Sequence, residues 1–176
     1  MRSSIPENVQ EHSHQVAVLA HALAVIRNEE FGGHADPGAV AVAALYHDAS
    51  EILTGDLPTP IKYHNAEIMS AYHAVEDLAV QKLLGMLPPE LRETYAGVLA
   101  EDKNGDIYPL VKAADKLSAY IKCIEERKAG NNEFLSAEAQ TRAALDASPL
   151  PEVQYFLEHF IPAFERDLDE LGAIGQ

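Results

Sequence analysis

Cysteine and basic residues are scarce in this chain of 176 residues. Cys123 is the only cysteine, so an intramolecular disulfide and a cysteine-based zinc site are both excluded. Lys and Arg together number 13 against 28 Asp and Glu, which gives a formal net charge of −15. Because nucleic acids and anionic membranes are held mainly by Lys and Arg, we expect neither as a partner. A small anionic substrate remains compatible with this charge, provided that a local cation offsets the repulsion.

Long apolar runs are also missing. No segment approaches the roughly 20 apolar residues that a membrane-spanning helix needs. The opening sequence MRSSIPENVQEHSHQ has no apolar core of the kind found in secretory signals. The single cysteine suits a reducing compartment. These features together predict a cytoplasmic protein.

Helix signals dominate what is present. Asn8 and Glu11 have the spacing of a capping box, and apolar residues then recur every three or four positions as far as Ile26. Asp36-Pro37 predicts the start of a second helix, which we expect to run through AVAALYHDASEIL to a loop at 54–60. Further helices are expected over about 66–86, 89–100, 107–129, 137–145 and 151–171, the last kinked at Pro162.

No alternating strand pattern, internal repeat or long linker interrupts this order. The expected fold is therefore all-α, with one domain over residues 1–176 built from about six to seven helices.

His47 and Asp48 are the most informative pair. On a helix, adjacent side chains point about 100° apart, yet an imidazole and a shorter carboxylate can still reach one ion at the helix surface. Glu51 follows His47 by four residues and therefore flanks the same spot. Buried among Ala and Leu, these groups are costly without a partner, and a cation would remove that cost. An ordinary hydrogen-bonded His-Asp pair is the plainer interpretation of this motif alone.

His12 and Asp115 extend the pattern. His12 lies on the apolar face of the first helix, so it is expected to point inward, either as a core histidine or as a metal ligand. Asp115 sits among small and apolar residues and requires a partner, which is either an ion or a salt bridge to Lys112 or Lys116.

Taken together, His12, His47-Asp48 and Asp115 resemble the H…HD…D pattern of the HD superfamily of metal-dependent phosphohydrolases. The similarity sharpens in four segments, which resemble bacterial HD-domain 5′-deoxynucleotidases over nearly the whole chain: ENVQEHSHQVAVLAHALA, ALYHDASEILTGDLPTPIKY, VKAADKLSAYIKC and AGNNEFL. The run HDASEILTGDLPTP is the most specific part of this resemblance.

The resemblance implies an enzyme that hydrolyses deoxyribonucleoside 5′-monophosphates to nucleoside and phosphate. By position, the four residues of the H…HD…D pattern match the ligands of one divalent ion, with Co²⁺, Mn²⁺, Zn²⁺, Fe²⁺ and Mg²⁺ all open. Glu51 matches the catalytic carboxylate, and Asp56 matches a residue with a catalytic and substrate-binding role. The resemblance also implies a homodimer.

The match has one departure and leaves alternatives open. Related nucleotidases carry an Arg-Trp pair upstream of the position that aligns with Met1, and Arg2 does not align with it. Lys62 and Lys112 are the cations that could compensate, although lysines of this kind are usually solvated. Hydrolysis of another nucleotide phosphate ester is one alternative function. A dimeric module that binds metal and nucleotide without turnover is the other.

Overall fold

The computed structural model describes residues 3–4, 6–55, 65–100, 102–103, 105–167 and 170. Within these residues the secondary structure is helical, without a strand. Seven of the described α-helices have nine residues or more, which confirms the expected all-α fold of six to seven helices. In chain order the α-helices are α1 (Val9–Phe31), α2 (Pro37–Tyr46), α3 (Glu51–Thr54), α4 (Ala66–Met86), α5 (Pro89–Leu99), α6 (Tyr108–Lys128), α7 (Leu135–Asp146), α8 (Pro151–His159) and α9 (Ile161–Glu165), with a 3₁₀ turn at Asn132–Phe134.

The first two helices begin where the capping signals predict. The side chain of Asn8 accepts from the backbone N–H of Glu11 at 3.0 Å, and the Glu11 carboxylate accepts from the N–H of Asn8 at 3.1 Å. Both halves of the expected capping box are therefore formed. Asp36 caps α2 by accepting from Gly38 N–H at 2.9 Å, and Pro37 takes the first helical position. These caps fix the N-terminal ends of the two helices that lead into the site.

The hydrophobic core lies between α1, α2, α6 and α8. Its fully buried members include Leu23 of α1, Val40 of α2, Leu117 of α6 and Val153 of α8. Burying side chains of this size contributes about 1.5–3 kcal/mol each. Because α1 packs against both α2 and α6, residues on its inward face lie near both of these neighbours.

The second helix ends earlier than expected. We expected one helix through AVAALYHDASEIL, but α2 ends at Tyr46 and residues 47–50 form a turn. In this turn the backbone bonds link residues three apart, as in Ala49 N–H to Tyr46 O at 3.0 Å and Glu51 N–H to Asp48 O at 3.0 Å. The ring of His47 contributes to the break, because its Nδ1 donates to Ala44 O at 2.7 Å. That side chain competes with the backbone for a helical carbonyl.

The C-terminal part shows the kink expected at Pro162. Helix α8 ends at His159 and α9 begins at Ile161, so the break lies just before the proline. Proline has no N–H to donate to the preceding turn, which explains the interruption. Among the described residues, no helix combines the length and apolar character needed to cross a membrane.

Candidate metal centre

Three parts of the fold bring the H…HD…D residues together. His12 comes from the first turn of α1, His47 and Asp48 from the turn after α2, and Asp115 from α6. One ligand-type atom from each of His12, His47 and Asp115 lies within 4.8 Å of the others. Residues separated by about a hundred positions in sequence therefore meet at one point, as the sequence pattern predicts.

Three of the distances between the donor atoms are short enough for the groups to share one ion. Two ligands of a transition-metal ion are at most about 4.2 Å apart, which is twice a bond of roughly 2.1 Å. Asp48 Oδ2 lies 3.1 Å from His47 Nε2 and 3.5 Å from His12 Nε2. Asp115 Oδ1 lies 3.3 Å from His12 Nε2. Two imidazoles and two carboxylates form the mixed nitrogen and oxygen donor set that suits Mn²⁺, Co²⁺, Zn²⁺ or Fe²⁺.

His47 is oriented as a ligand by its backbone contact. Its Nδ1 lies 2.7 Å from Ala44 O, and a carbonyl only accepts, so Nδ1 carries the hydrogen. In the neutral ring this leaves a lone pair on Nε2. That atom is buried and has no hydrogen-bond partner among the described residues, although Asp48 Oδ2 is 3.1 Å away. A buried nitrogen of this kind requires either a proton that faces Asp48 or a bound cation, and a metal ion fits the second case.

His12, like His47, has neighbours that favour a hydrogen on Nδ1, and neither of these two neighbours was predicted from the sequence. Glu7 Oε1 lies 3.3 Å from His12 Nδ1, and Ser118 Oγ lies 3.4 Å from it. Ser118 donates its own hydrogen to Gln15 Oε1 at 2.8 Å, so toward His12 its oxygen is an acceptor. Both neighbours therefore favour a hydrogen on Nδ1 and a lone pair on Nε2, which faces Asp48 and Asp115.

The two aspartates raise the pKa values of the two histidines, and the histidines in turn lower those of the aspartates. Burial by itself lowers the pKa of His12 and His47, but the nearby carboxylates outweigh it, so both values lie above 6.5. Asp115 is the main carboxylate acting on His12, and Asp48 is the main one acting on His47. Burial raises the pKa of the two aspartates, yet their histidine partners hold both below the ordinary value.

Asp115 also has the lysine neighbour that was considered as a structural partner. Lys112 lies one turn earlier on α6, and its charge contributes to the lowered pKa of Asp115. His12 Nε2 lies 3.3 Å from Asp115 Oδ1. Asp115 therefore interacts with a histidine of the site as well as with the lysine.

Of the two predicted catalytic carboxylates, Glu51 lies within the described residues and Asp56 does not. Glu51 is buried at 8% exposure in the first turn of α3, three residues after Asp48. Its backbone N–H donates to Asp48 O at 3.0 Å, so the turn that carries the ligands also carries this carboxylate. Asp56 lies outside the described residues. Their catalytic and substrate-binding roles stay predictions.

A polar cleft of about 590 Å³ opens beside the cluster. Besides His47 and Asp48, its lining includes the cations Lys103 and Lys112 and the carboxylates Glu76 and Asp77. His73 of α4 also lines it, and its Nδ1 is 2.9 Å from Glu76 Oε2.

A second, more apolar cleft of about 310 Å³ adjoins the first, and the two have His47, Ala100 and Tyr108 in common. Its apolar lining includes Ala43, Val98, Ile107 and Val111. The cluster thus borders one polar and one apolar space, which is the surrounding that a phosphate joined to a nucleoside requires.

Comparison with known proteins places this chain in a family. The family model described as "5′-deoxynucleotidase YfbR-like" matches residues 1–164. The chain is 52% identical over 173 residues to 5′-deoxynucleotidase YfbR of Shigella boydii, covering 98% of this chain and 87% of the relative. The protein of the same name from Escherichia coli K12 matches with the same identity and coverage.

Solved structures agree on the fold. An HD-domain phosphohydrolase from Listeria innocua superimposes with a TM-score of 0.82 at 24% identity, covering 93% of this chain and 79% of that one. A Pyrococcus horikoshii protein gives a TM-score of 0.66 at 22% identity, with coverage of 93% and 86%. The fold is thus that of HD-domain proteins, and by its sequence the chain belongs to the 5′-deoxynucleotidase YfbR-like family.

Proposed function

We propose that this protein is a metal-dependent phosphomonoesterase that hydrolyses deoxyribonucleoside 5′-monophosphates to nucleoside and phosphate. The observation that carries the proposal is the convergence of His12, His47, Asp48 and Asp115 beside a polar cleft whose lining includes two lysines. These four residues are the proposed ligands of one divalent ion. The names of the relatives, at 52% identity over nearly the whole chain, support the same substrate class.

The two clefts divide the proposed substrate between them. The phosphate lies in the polar cleft, where Lys103 and Lys112 offset part of its charge. The deoxyribose and base extend into the apolar cleft, past Tyr108, which lines both spaces. In a chain of net charge −15 these lysines supply the local cations that an anionic substrate requires.

The proposed hydrolysis uses a divalent ion, a water molecule as the nucleophile, and the carboxylates of Glu51 and Asp56. Bound by these four residues, His12, His47, Asp48 and Asp115, a divalent ion would supply a water of lowered pKa and would offset charge on the phosphoryl oxygens. Glu51, buried three residues after Asp48, would orient a water at the site or accept its proton. Asp56 contacts the substrate and takes part in proton transfer, as the family resemblance implies. The backbone contact of His47 holds one ligand ring in a fixed orientation throughout.

The test is phosphate release from a panel of deoxy- and ribonucleoside 5′-monophosphates. Metal-stripped protein is assayed with Mn²⁺, Co²⁺, Zn²⁺, Fe²⁺ or Mg²⁺ added back one at a time. Metal-dependent release that favours the deoxy compounds is the expected result. Release only from nucleoside triphosphates or guanosine polyphosphates would replace the proposed substrate. Stoichiometric binding of metal and nucleotide without release of phosphate would show that the protein is a binding module and not an enzyme.

Glu51 is tested by a variant that preserves its shape. Glu51→Gln is expected to bind the metal as the unchanged protein does and to lose most of its turnover, because the amide cannot accept a proton from water. Metal content by mass spectrometry and kcat are measured on the same sample. Turnover at the unchanged rate would remove Glu51 from the mechanism.

The assembly and location expected from the sequence complete the proposal. We propose a cytoplasmic homodimer in which residues 1–176 act as one domain. Support for a dimer comes from α4, where Val75, Leu78 and Met86 recur at helical spacing and are 47%, 63% and 70% exposed. Light scattering of the purified protein measures the mass in solution, and a monomer at micromolar concentration would contradict the dimer. Cell fractionation tests the location.

A further inference from the structure

One polar stripe of α6 runs from the metal centre to the beginning of the chain. Asp115, Ser118, Lys122 and Glu126 follow one another at spacings of three and four, so they lie on one face of the helix. Each of them interacts with α1 or with the described residues of the segment 4–8 that precedes it, which we call the N-terminal strap. The stripe thus connects a proposed ligand, Asp115, with a segment that lies outside the site.

The far end of the strap is held by a buried carboxylate. Glu126 is 2% exposed, and its two oxygens accept from the backbone N–H of Ser4 at 2.9 and 2.8 Å. Asn131 Nδ2 donates to Oε2 of the same carboxylate at 2.7 Å. Because an anion buried in this way is stable only with its hydrogen bonds formed, Glu126 fixes where the strap lies on α6.

The near end of the strap reaches His12. Glu7 places Oε1 3.3 Å from His12 Nδ1 and Oε2 3.6 Å from Lys122 Nζ. The side chains of Glu7 and Lys122 are only 24% and 25% exposed. One carboxylate therefore bridges the imidazole and a lysine of the stripe.

We propose that Glu7, held in place by Lys122, is a positioning residue for His12. Its carboxylate, 3.3 Å from Nδ1, favours a hydrogen on that nitrogen together with Ser118 Oγ at 3.4 Å, and this keeps the Nε2 lone pair directed at Asp48 and Asp115. This inference rests on the proposed metal centre and adds to it a residue outside the H…HD…D pattern. Carboxylate partners of this kind orient metal-bound histidines and raise their basicity, and their loss costs about 10–100-fold in metal affinity or activity.

Cobalt binding tests the inference without any assay of activity. Glu7→Ala and Lys122→Met are expected to bind Co²⁺ about 10–100-fold more weakly and to change its visible absorption spectrum, because one nitrogen ligand is no longer held. Lys122→Arg keeps a cation next to Glu7 and is expected to restore the affinity. The matched control is Glu11→Gln, which removes the same charge four residues away while a glutamine can still complete the capping box.

A second readout needs no metal. Nitrogen-15 NMR of the metal-free protein reports which ring nitrogen of His12 carries the hydrogen, and Glu7→Ala is expected to reduce the Nδ1–H form. Cobalt affinity and tautomer populations of Glu7→Ala that equal those of Glu11→Gln would overturn the inference. A chain of unchanged sequence that binds no cobalt would instead overturn the metal centre, and the tautomer measurement would still decide the role of Glu7.

Discussion

The helix pair α1 and α6 and the helix pair α4 and α5 differ in how many of their residues are buried. Helices α1 and α6, of 23 and 21 residues, bury eight and ten residues respectively. Helix α4 is equally long, with 21 residues, yet it buries only Tyr72, Ala79 and Leu84, and α5 buries none. Two of the proposed ligands, His12 and Asp115, lie on the first pair, whereas residues of the second pair contribute to the lining of the clefts together with residues of α6.

The metal ligands therefore depend on the densely packed helices, whereas the clefts are lined both by α6, with Tyr108 and Lys112, and by the less buried α4 and α5. Donor atoms must stay within a few tenths of an ångström of a common geometry, which a densely packed scaffold provides. The α4–α5 side has few buried apolar contacts, and such regions belong to the less stable end of a fold. We infer that changes on this side alter the substrate preference before they alter metal binding.

The largest effect is expected from removing a ligand. Asp48→Ala should abolish metal binding and activity together, with a loss greater than the roughly 100-fold seen at most for outer-shell partners. Metal content by mass spectrometry and phosphate release are measured on the same preparation. Glu29→Ala, which removes an exposed carboxylate of α1, serves as the control. Full metal occupancy in Asp48→Ala would contradict the ligand assignment.

Because α6 is more deeply buried than α5, we expect a Leu→Ala substitution to lower the free energy of unfolding more in α6 than in α5. Leu117 of α6 is 0% exposed, so Leu117→Ala should lower the free energy of unfolding by about 2–5 kcal/mol. Leu91 of α5 is 43% exposed, and Leu91→Ala should change it by no more than about 0.5 kcal/mol. Urea denaturation of the metal-free variants measures both. Equal losses at the two sites would mean that the two helix pairs are equally well packed.

A smaller effect is expected from the lysines that line the polar cleft. Lys112→Met should raise the KM for a deoxynucleotide about tenfold, since a hydrogen bond to a charged group contributes about 1.5 kcal/mol at the low end of its range. Lys116, one turn further along α6, is exposed, and Lys116→Met is the matched control. Steady-state kinetics separates KM from kcat for each variant. An unchanged KM for Lys112→Met would remove this residue from phosphate binding.

The smallest effect concerns pH and has opposite signs with and without metal. In the metal-free protein the raised pKa values of His12 and His47 stabilise the fold fully below pH 6.5, and this contribution is lost as the pH rises through the folded values. The lowered pKa values of Asp48 and Asp115 act in the acid range, where their contribution is lost as the pH falls below 3.8. Between these limits the metal-free site is most stable.

Metal binding reverses the trend above pH 6.5, because the ligands must be deprotonated. The increase in Tm on adding metal should therefore grow from pH 6 to pH 8, while the Tm of the metal-free protein falls slightly because of the two histidines. Differential scanning calorimetry at matched ionic strength measures both. A metal-induced increase in Tm that is independent of pH would argue against two histidine ligands.

Much of the fold is predictable because its signals are local. The capping box at Asn8, the Asp36-Pro37 start and the break before Pro162 each follow from the conformational limits of a few adjacent residues. The end of α2 at Tyr46 is not predictable in this way. It depends on the ring of His47 bonding Ala44 O, and helix periodicity contains no sign of that contact.

The residues of the site also differ in whether local sequence signals reveal them. His12, His47, Asp48 and Asp115 could be selected from the sequence because buried ligand-type residues in an apolar setting are unusual and their order resembles a known pattern. Glu7 and His73 could not, because each is an ordinary polar residue until the fold places it against His12 or on the wall of the cleft. Contacts between segments distant in sequence therefore decide what local signals leave open.

The most direct test of the account is one metal titration of stripped protein with two readouts. Bound metal per chain and the rate of phosphate release from a deoxynucleoside 5′-monophosphate are followed as Mn²⁺ or Co²⁺ is added. The account predicts that both saturate together at one ion per chain. Phosphate release at full rate before any metal is bound would contradict it.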